Sequence, residues 1–370
     1  MAEIYLPAAS GAFTTMRRRR RGDFFPDETR TDQAATLVEV GNRVMNTKAS
    51  DGEMLTSVSI CVVNWNARDL LRECLQSIRD HAGVTCEVLV CDNGSSDGSV
   101  EMVSSEFSHV TLIRNKENVG FARANNQLIA LASGKYVLLL NSDAFLQAGV
   151  LPYLCRFMNE HPGCGACSPR LVNREGREQK QFERFPSLGR LCLRRLGGKV
   201  WPVSWWMRPV KRLGRRRQWP TQAVVVDSLP GACMLLRRVA LEEVGGLNGD
   251  LFFYGEEADL CWRLRAAGWL CMYVPEVTAV HLVGSSSRRN TELDGDWEIT
   301  RGEIVFLRRF RGRLYAIVAA VIVIVSSALE AMVELLKYPL RVVVGDRKAM
   351  CKLKTAWWRV VKWMCLWSDA

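Results

Sequence analysis

Histidine is scarce, with four in 370 residues, and the thirteen cysteines are scattered singly. Their one close pair, Cys164 and Cys167, has no second pair at zinc spacing, which excludes a zinc module and leaves reduced cytosolic thiols as the expectation. Met1–Met16 lacks a basic start followed by a long apolar core, so no secretory signal is expected. The C-terminal part offers sixteen uncharged residues, Leu314–Leu329, short of the ~20 that a spanning helix needs. Glu330 and Glu334 then interrupt the apolar face, and a monotopic or re-entrant helix is expected. No nucleic-acid-binding motif is present, and no Gly-rich loop with a basic side chain follows the first strand, as a nucleotidyltransferase would need.

What is present is positive charge in two places. The net charge is +11, with fourteen basic side chains against three acidic ones over residues 174–217 and thirteen against five over residues 301–370. Both segments interleave charge with tryptophan: Trp201, Trp205 and Trp206 in the first, with Trp219 just beyond it, and Trp357, Trp358, Trp363 and Trp367 in the second. That composition suits an anionic membrane surface, and the terminal "KLKTAWWRVVKWMCLW" reads as an interfacial amphipathic helix.

Residues 1–54 are polar, broken by Gly and Pro, and carry the run Arg17–Arg21; a disordered basic and polar leader is expected. From Ser57 the pattern changes. "SVSICVVNWN", "EVLVCDN", "HVTLIRN" and "KYVLLLNSD" read as four strands, with a helical stripe of Leu70, Leu71, Cys74, Leu75 and Ile78 after the first. Such alternation predicts an α/β fold with a parallel sheet covered on both faces. "VVVDSLPGACMLLRR" resumes a buried strand pattern after a basic, Trp-rich insertion at 174–222, and "CMYVPEVTAVHLVGSSS" gives a short strand leading to His281.

Ligands of such sheets bind beyond the carboxyl ends of the strands. The candidates are therefore Asn64 and Asn66, Asp92 and Asn93, Asn118 and Gly120, and Asn141, Ser142 and Asp143. A carboxylate at Asp92, heading "DNGSSDGS", can accept from the imide N–H of a uracil or thymine, although the same stretch also caps a helix. Asp143 ends the most hydrophobic strand and suits Mg²⁺ or Mn²⁺ shared with a diphosphate, with His281 a second ligand if Asp143 holds the ion. One further stretch stands out: "FFYGEEADLCWR", Phe252–Arg263, packs Glu256, Glu257 and Asp259 into four positions. Acids in a first helical turn are favoured by the helix dipole, so capping explains them as readily as chemistry does.

In order, "VVNWN", "CDNGSSDGS", "NVGFARANN", "LLLNSDA", "GACMLLRR", "FFYGEEADLCWRLRAAGW" and "VHLVGSSS" resemble the family 2 glycosyltransferases, closest to a bacterial rhamnosyltransferase-like branch, over Ser57–Ser287. The resemblance implies a GT-A fold, a Rossmann-like nucleotide-sugar-binding domain over 55–300, followed by membrane-associated helices over 301–370. It implies that Asp92 contacts the pyrimidine, that Asp143 and His281 hold a divalent cation, and that Gly120, Phe121 and Asn125 line the nucleotide-sugar pocket. The base comes from the acidic pair, with Glu257 in the usual aspartate's place and Glu256 the alternative; Asp259 would position. Gly255 stands where the family has an aromatic residue.

The implied reaction is an inverting transfer from a dTDP- or UDP-sugar, dTDP-L-rhamnose first, to a polyprenyl-diphosphate-linked glycan at the cytoplasmic face of the membrane. The alternative is a non-catalytic, membrane-associated sugar-nucleotide-binding or scaffold protein, motivated by Gly255 and by the extra methylene of Glu257.

Overall fold

A computed structural model describes residues 36–37, 58–196, 219–282, 295–343 and six positions between 350 and 361. Most of the leader, Trp201, Trp205 and Trp206 of the insertion, the "GSSS" after Leu282, and Trp363 and Trp367 lie outside the described residues.

The ten strands are β1 (Thr36–Leu37), β2 (Val58–Asn64), β3 (Cys86–Asp92), β4 (Thr111–Arg114), β5 (Tyr136–Asn141), β6 (Ala144–Phe145), β7 (Cys164–Val172), β8 (Val224–Val225), β9 (Cys233–Arg237) and β10 (Leu270–His281). They form one sheet ordered β1-β4-β3-β2-β5-β9-β7-β10-β6, with β8 paired to β10. The helices are α1 (Arg68–His81), α2 (Ser99–Glu106), α3 (Phe121–Leu131), α4 (Val150–Glu160), α5 (Leu188–Leu196), α6 (Arg238–Val244), α7 (Glu256–Ala266), α8 (Gly295–Arg311) and α9 (Arg313–Val343).

The parallel expectation holds for β4, β3, β2 and β5, whose ladders are all parallel. It fails beyond β5. There β9 runs antiparallel to both β5 and β7, so the sheet is mixed. The chain enters β9 after an excursion through β7 and the insertion, and no single helical crossover forces it to run parallel. The strand before His281 is also longer than expected: β10 has twelve residues and carries irregular register against β7 between Val274 and Thr278. Within the leader, Thr36 and Leu37 pair with Arg114 and Ile113 at the sheet edge.

Both faces of the central strands are buried, which is why they read as near-continuous apolar runs. Val58, Ile60 and Val62 of β2 pack with Leu71, Leu75 and Ile78 of α1, Val103 of α2 and Leu151 and Leu154 of α4. Cys61 faces the other way, with Leu128 of α3, Leu241 of α6 and Leu260 and Leu264 of α7. The eleven described cysteines are free thiols, ten of them buried in these layers.

A smaller core joins Leu191 of α5, Trp297 and Leu307 of α8, and Ala319 and Val323 of α9. The first part of the basic insertion therefore belongs to the folded body. Arg195 is 2% exposed, and Arg194 and Arg195 both bond Asp296 and Thr300 of α8, with Glu303 a further partner of Arg194. Trp219 packs edge-on against Phe182. Interleaved Arg and Trp thus mark an intramolecular interface at these positions, where the composition alone points to a membrane. The boundary drawn at residue 300 falls inside α8.

The uncharged stretch Leu314–Leu329 is the first half of a longer helix. Helix α9 runs for 31 residues, about 46 Å at 1.5 Å per residue, and Arg313–Pro339 is long and apolar enough to cross a membrane. Counting only uncharged positions shortened it, because a helix continues through Glu330 and Glu334 without interruption.

Candidate active site

The carboxyl ends of β2, β3 and β5 open onto a cleft of 710 Å³. Because β9 is antiparallel to β5, its beginning lies at the same end: the Asn141 N–H donates to the Ala232 carbonyl at 3.0 Å, and the Gly231 N–H donates to Glu257 Oε1 at 3.2 Å. A Cβ on Gly231 would come within 3.0 Å of that same oxygen. This short run of backbone joins the tip of β5 to the start of α7.

The metal candidates meet through strand register. Ala144 of β6 pairs with His281 of β10, and the Leu282 N–H donates to the Asp143 carbonyl at 2.9 Å. His281 Nε2 then lies 3.4 Å from Asp143 Oδ1 and 3.5 Å from Asn141 Nδ2. Gln179, which sequence reading passed over, decides the ring's tautomer. Its Nε2 donates to the His281 carbonyl, which can only accept, so its Oε1 is the atom 3.0 Å from His281 Nδ1. Nδ1 must carry a proton, so in the neutral ring the Nε2 lone pair faces Asp143.

A neutral ring so held sets two acceptors against each other at 3.4 Å, an arrangement that a divalent cation satisfies. The donor set of one carboxylate and one imidazole fits Mn²⁺ and tolerates Mg²⁺. No group of three or more His, Cys, Asp or Glu side chains is placed to hold a metal ion among the described residues, so the remaining positions on such an ion would fall to diphosphate oxygens or water.

The acidic pair sits at the opposite element of the same cleft lining, on the first turn of α7. Glu256 is 2% exposed and its Oε2 has no hydrogen-bond partner among the described residues. Burial holds its carboxyl well above the usual carboxylate range, and the neighbouring Glu257 pushes the same way. Burial raises Glu257 as well, while the Gly231 N–H works against the rise. Both the capping reading and the chemical one therefore apply: the acids open a helix, and two of them line the cleft.

Asp259 does not. It is 1% exposed, accepts from Arg263 Nε at 2.6 Å and from Arg309 at 3.0 Å, and ties α7 to α8. Expected on sequence to be a positioning group, it lies behind the acidic pair, its carboxylate between two guanidinium groups and outside the cleft lining.

Several strand-end candidates are hydrogen-bonded to neighbouring side chains and backbone. Asn64 Nδ2 donates to Asp92 Oδ2 at 2.9 Å and the Ser95 N–H donates to Asp92 Oδ1 at 2.8 Å, while Asn66 Oδ1 accepts from the Ser96 N–H. Asn125 donates to the Phe121 carbonyl within α3. None of Asn64, Asn66, Asp92 and Asn125 lines the cleft; Asn93, Asn118, Gly120, Phe121, Asn141, Ser142, Asp143 and His281 do. Trp65, flanked by the two bracing asparagines, lines it as well and supplies an aromatic face for a base or sugar. Gly120 has φ +88°, and a Cβ there would lie 2.7 Å from the Phe252 carbonyl, so the loop that leads into α7 can rest on the start of α3. Tyr254 of that loop has φ +68°, uncommon outside glycine, and also lines the cleft.

The sequence reading also missed the cleft's other wall. Lys180, Arg184, Arg190 and Arg194 from the insertion and Asp296, Ile299 and Glu303 from α8 line it, although both segments look peripheral in the sequence.

A model of the family described as Glycosyl transferase family 2 matches residues 59–245. Over 214 residues the chain is 30% identical to an N-acetylglucosaminyl-diphospho-decaprenol L-rhamnosyltransferase of Mycobacterium tuberculosis (strain ATCC 25618 / H37Rv), a match covering 55% of this chain and 68% of that protein. A poly-beta-1,6-N-acetyl-D-glucosamine synthase of Staphylococcus aureus (strain MSSA476) is 23% identical over 228 residues, 60% of this chain and 48% of the synthase. Among solved structures, GalNAc-T7 with UDP, GalNAc and Mn²⁺ superposes with a TM-score of 0.49 at 15% identity, covering 70% of this chain and 48% of that one.

Proposed function

The chain belongs to glycosyl transferase family 2, and from that premise we propose that it transfers L-rhamnose, from dTDP-L-rhamnose, to a glycan carried on a polyprenyl diphosphate. One observation carries the reading: a single cleft gathers the Asp143–His281 pair and the Glu256–Glu257 pair. The 30% identity to a decaprenol-linked rhamnosyltransferase supports the choice of sugar and of acceptor class.

In the proposed reaction Glu257 accepts the proton of the acceptor hydroxyl while that oxygen bonds to the anomeric carbon. The bond from that carbon to the diphosphate breaks with its electron pair leaving on the nucleoside diphosphate, so configuration inverts and no covalent enzyme intermediate forms. Asp143 and His281 would hold a divalent cation, which would supply neutralisation of the charge on the leaving diphosphate. Gln179 keeps His281 turned toward Asp143, and Asn93, Asn118 and Trp65 enclose the donor. Burial and the neighbouring Glu257 both favour the protonated form of Glu256, which spares Glu257 a negative neighbour. Helix α9 would hold the cleft near the membrane in which the acceptor's lipid resides, at its cytoplasmic face, where nucleotide sugars are available.

The motive for a non-catalytic reading weakens on one point. Gly255 stands where α8 leaves no room for an aromatic side chain, a packing cause that needs no loss of turnover.

The test is release of nucleoside diphosphate from a panel of dTDP- and UDP-sugars with Mg²⁺ or Mn²⁺ and a synthetic polyprenyl-diphosphate N-acetylglucosamine. The expected result is turnover of dTDP-L-rhamnose, lost in Glu257→Gln and Asp143→Ala. Turnover of a UDP-sugar alone would replace the donor; donor binding without any turnover would overturn the transfer reading.

A further inference from the structure

Of the four basic residues on the cleft wall contributed by the insertion, two are already neutralised: Lys180 by Glu183, and Arg194 by Asp296 and Glu303. Arg184 and Arg190 are different. Both line the cleft, both are exposed, and neither has a carboxylate partner among the described residues.

Their position is fixed by neighbours on either side. Phe185, next to Arg184, packs edge-on against Trp262 of α7 with ring centroids 4.9 Å apart and stacks on Phe306 of α8 at 5.8 Å. Arg190 lies in the first turns of α5, which Arg194 and Arg195 lock to Asp296 of α8. The two guanidinium groups therefore belong to the wall formed with α7, which bears the base, and α8, which leads through Gly312 into α9. An acceptor must approach the base, and a lipid-borne acceptor must approach from the membrane helix. The Asp143–His281 pair, on β6 and β10, serves the donor's diphosphate from other elements.

We infer that Arg184 and Arg190 form a clamp for the diphosphate of the lipid-linked acceptor, making them specificity-determining residues for its linkage and not merely for membrane charge. This rests on the transfer reading above. Two guanidinium groups, each offering a planar fork of donors, match the oxygens of a diphosphate bidentately, and an uncharged aglycone offers them nothing.

The experiment uses the full chain in detergent and compares wild type with the Arg184→Gln, Arg190→Gln double variant. Two acceptors carrying the same N-acetylglucosamine are used, one as a farnesyl diphosphate ester and one as an uncharged alkyl glycoside. Wild type is expected to prefer the diphosphate ester, and the double variant to lose about tenfold or more of that preference in KM, with the uncharged acceptor little changed. Calorimetric titration of the farnesyl diphosphate ester into protein saturated with nucleoside diphosphate should show the same loss of affinity without turnover. That arm stands if no donor is turned over, an outcome that would overturn the transfer reading and not the clamp. A rise in donor KM with an unchanged acceptor preference would overturn the clamp and assign the arginines to the donor's diphosphate. Weaker binding to phosphatidylglycerol vesicles with unchanged acceptor preference would overturn it in favour of a lipid-headgroup contact.

Discussion

Gly255 and Gly302 touch backbone to backbone: a Cβ on Gly255 would lie 3.0 Å from Gly302 Cα, and one on Gly302 would lie 2.6 Å from the Tyr254 carbonyl. Helix α8 thus rests directly on the loop that presents Glu256 and Glu257, and Gly255, with φ +100°, is both the turn and the contact surface. The resemblance implies an aromatic residue at this position, and here Gly302 of α8 occupies the space that such a side chain would need.

A methyl group at Gly302 should therefore push α8 off the loop. Gly302→Ala is expected to lower stability by about 1–3 kcal/mol, as overpacking does, and to lower kcat more than donor affinity, because the displaced loop carries the base. Thermal unfolding and donor titration on the same preparation check both parts. An unchanged Tm would mean that α8 does not bear on the loop.

Gln179 is expected to matter as much as a ligand. Removing its oxygen in Gln179→Leu frees the His281 ring to change tautomer, and affinity for Mn²⁺ should fall about 10–100-fold, the usual loss for a group that orients a metal-binding histidine. Electron paramagnetic resonance of free Mn²⁺ in the presence of protein and nucleoside diphosphate measures it.

The difference between what could and could not be read in advance is physical. Strands β2 to β5 were legible because they are buried on both faces and bounded by turn residues, so composition and spacing point the same way. Asp143 and His281 are 138 positions apart, and only the β6–β10 register brings them together; a family resemblance, not periodicity, anticipated it. Asn64 and Asp92 were rightly placed at strand ends, but their side chains bond each other at 2.9 Å, and no one-dimensional pattern says which strand-end polar group is spent inward. Gln179 and the cleft arginines lay in a segment whose charge and tryptophans suggested a membrane; Gln179 meets His281 of β10 and Arg194 meets Thr300 of α8, partners more than 100 residues later.

The two glutamates give a pH dependence with a definite sign. Burial raises the folded-state pKa of Glu256, so in the window between the ordinary glutamate value and the raised one the folded state holds more protons than the unfolded. Stability must fall as pH rises through that window. Glu256→Gln removes the titration, so its Tm should gain on wild type as pH rises above the ordinary glutamate value. A parallel Tm profile would show that Glu256 titrates normally. Activity runs the other way, because the pair must lose a proton before Glu257 can accept one. The acid limb of kcat/KM should lie above the usual glutamate value, and Glu257→Gln should cost about 10²–10⁴-fold.

Asp259 separates structure from chemistry. Its carboxylate sits between Arg263 and Arg309, and Asp259→Ala leaves two guanidinium groups facing a buried space. The expected cost is about 3–5 kcal/mol, discounted because Arg309 is 44% exposed, and the loss should appear as less folded protein with near-normal kcat per folded molecule. A stable Asp259 variant with abolished turnover would return the residue to the catalytic group.

Membrane association can be tested on α9 without touching the cleft. Val321 and Val325 lie one turn apart and are 50% and 49% exposed, so their side chains meet the surroundings and not the small core of Leu191, Trp297 and Val323. In water such a pair costs little; in hydrocarbon each lysine at a helix centre costs about 2.5–3.5 kcal/mol. Val321→Lys with Val325→Lys is therefore expected to move the chain from the membrane fraction to the soluble fraction while leaving donor affinity intact, because neither residue lines the cleft. Retention in the membrane fraction would mean that α9 is not what holds the chain there, and attention would pass to the exposed Trp357 and Trp358 beyond it.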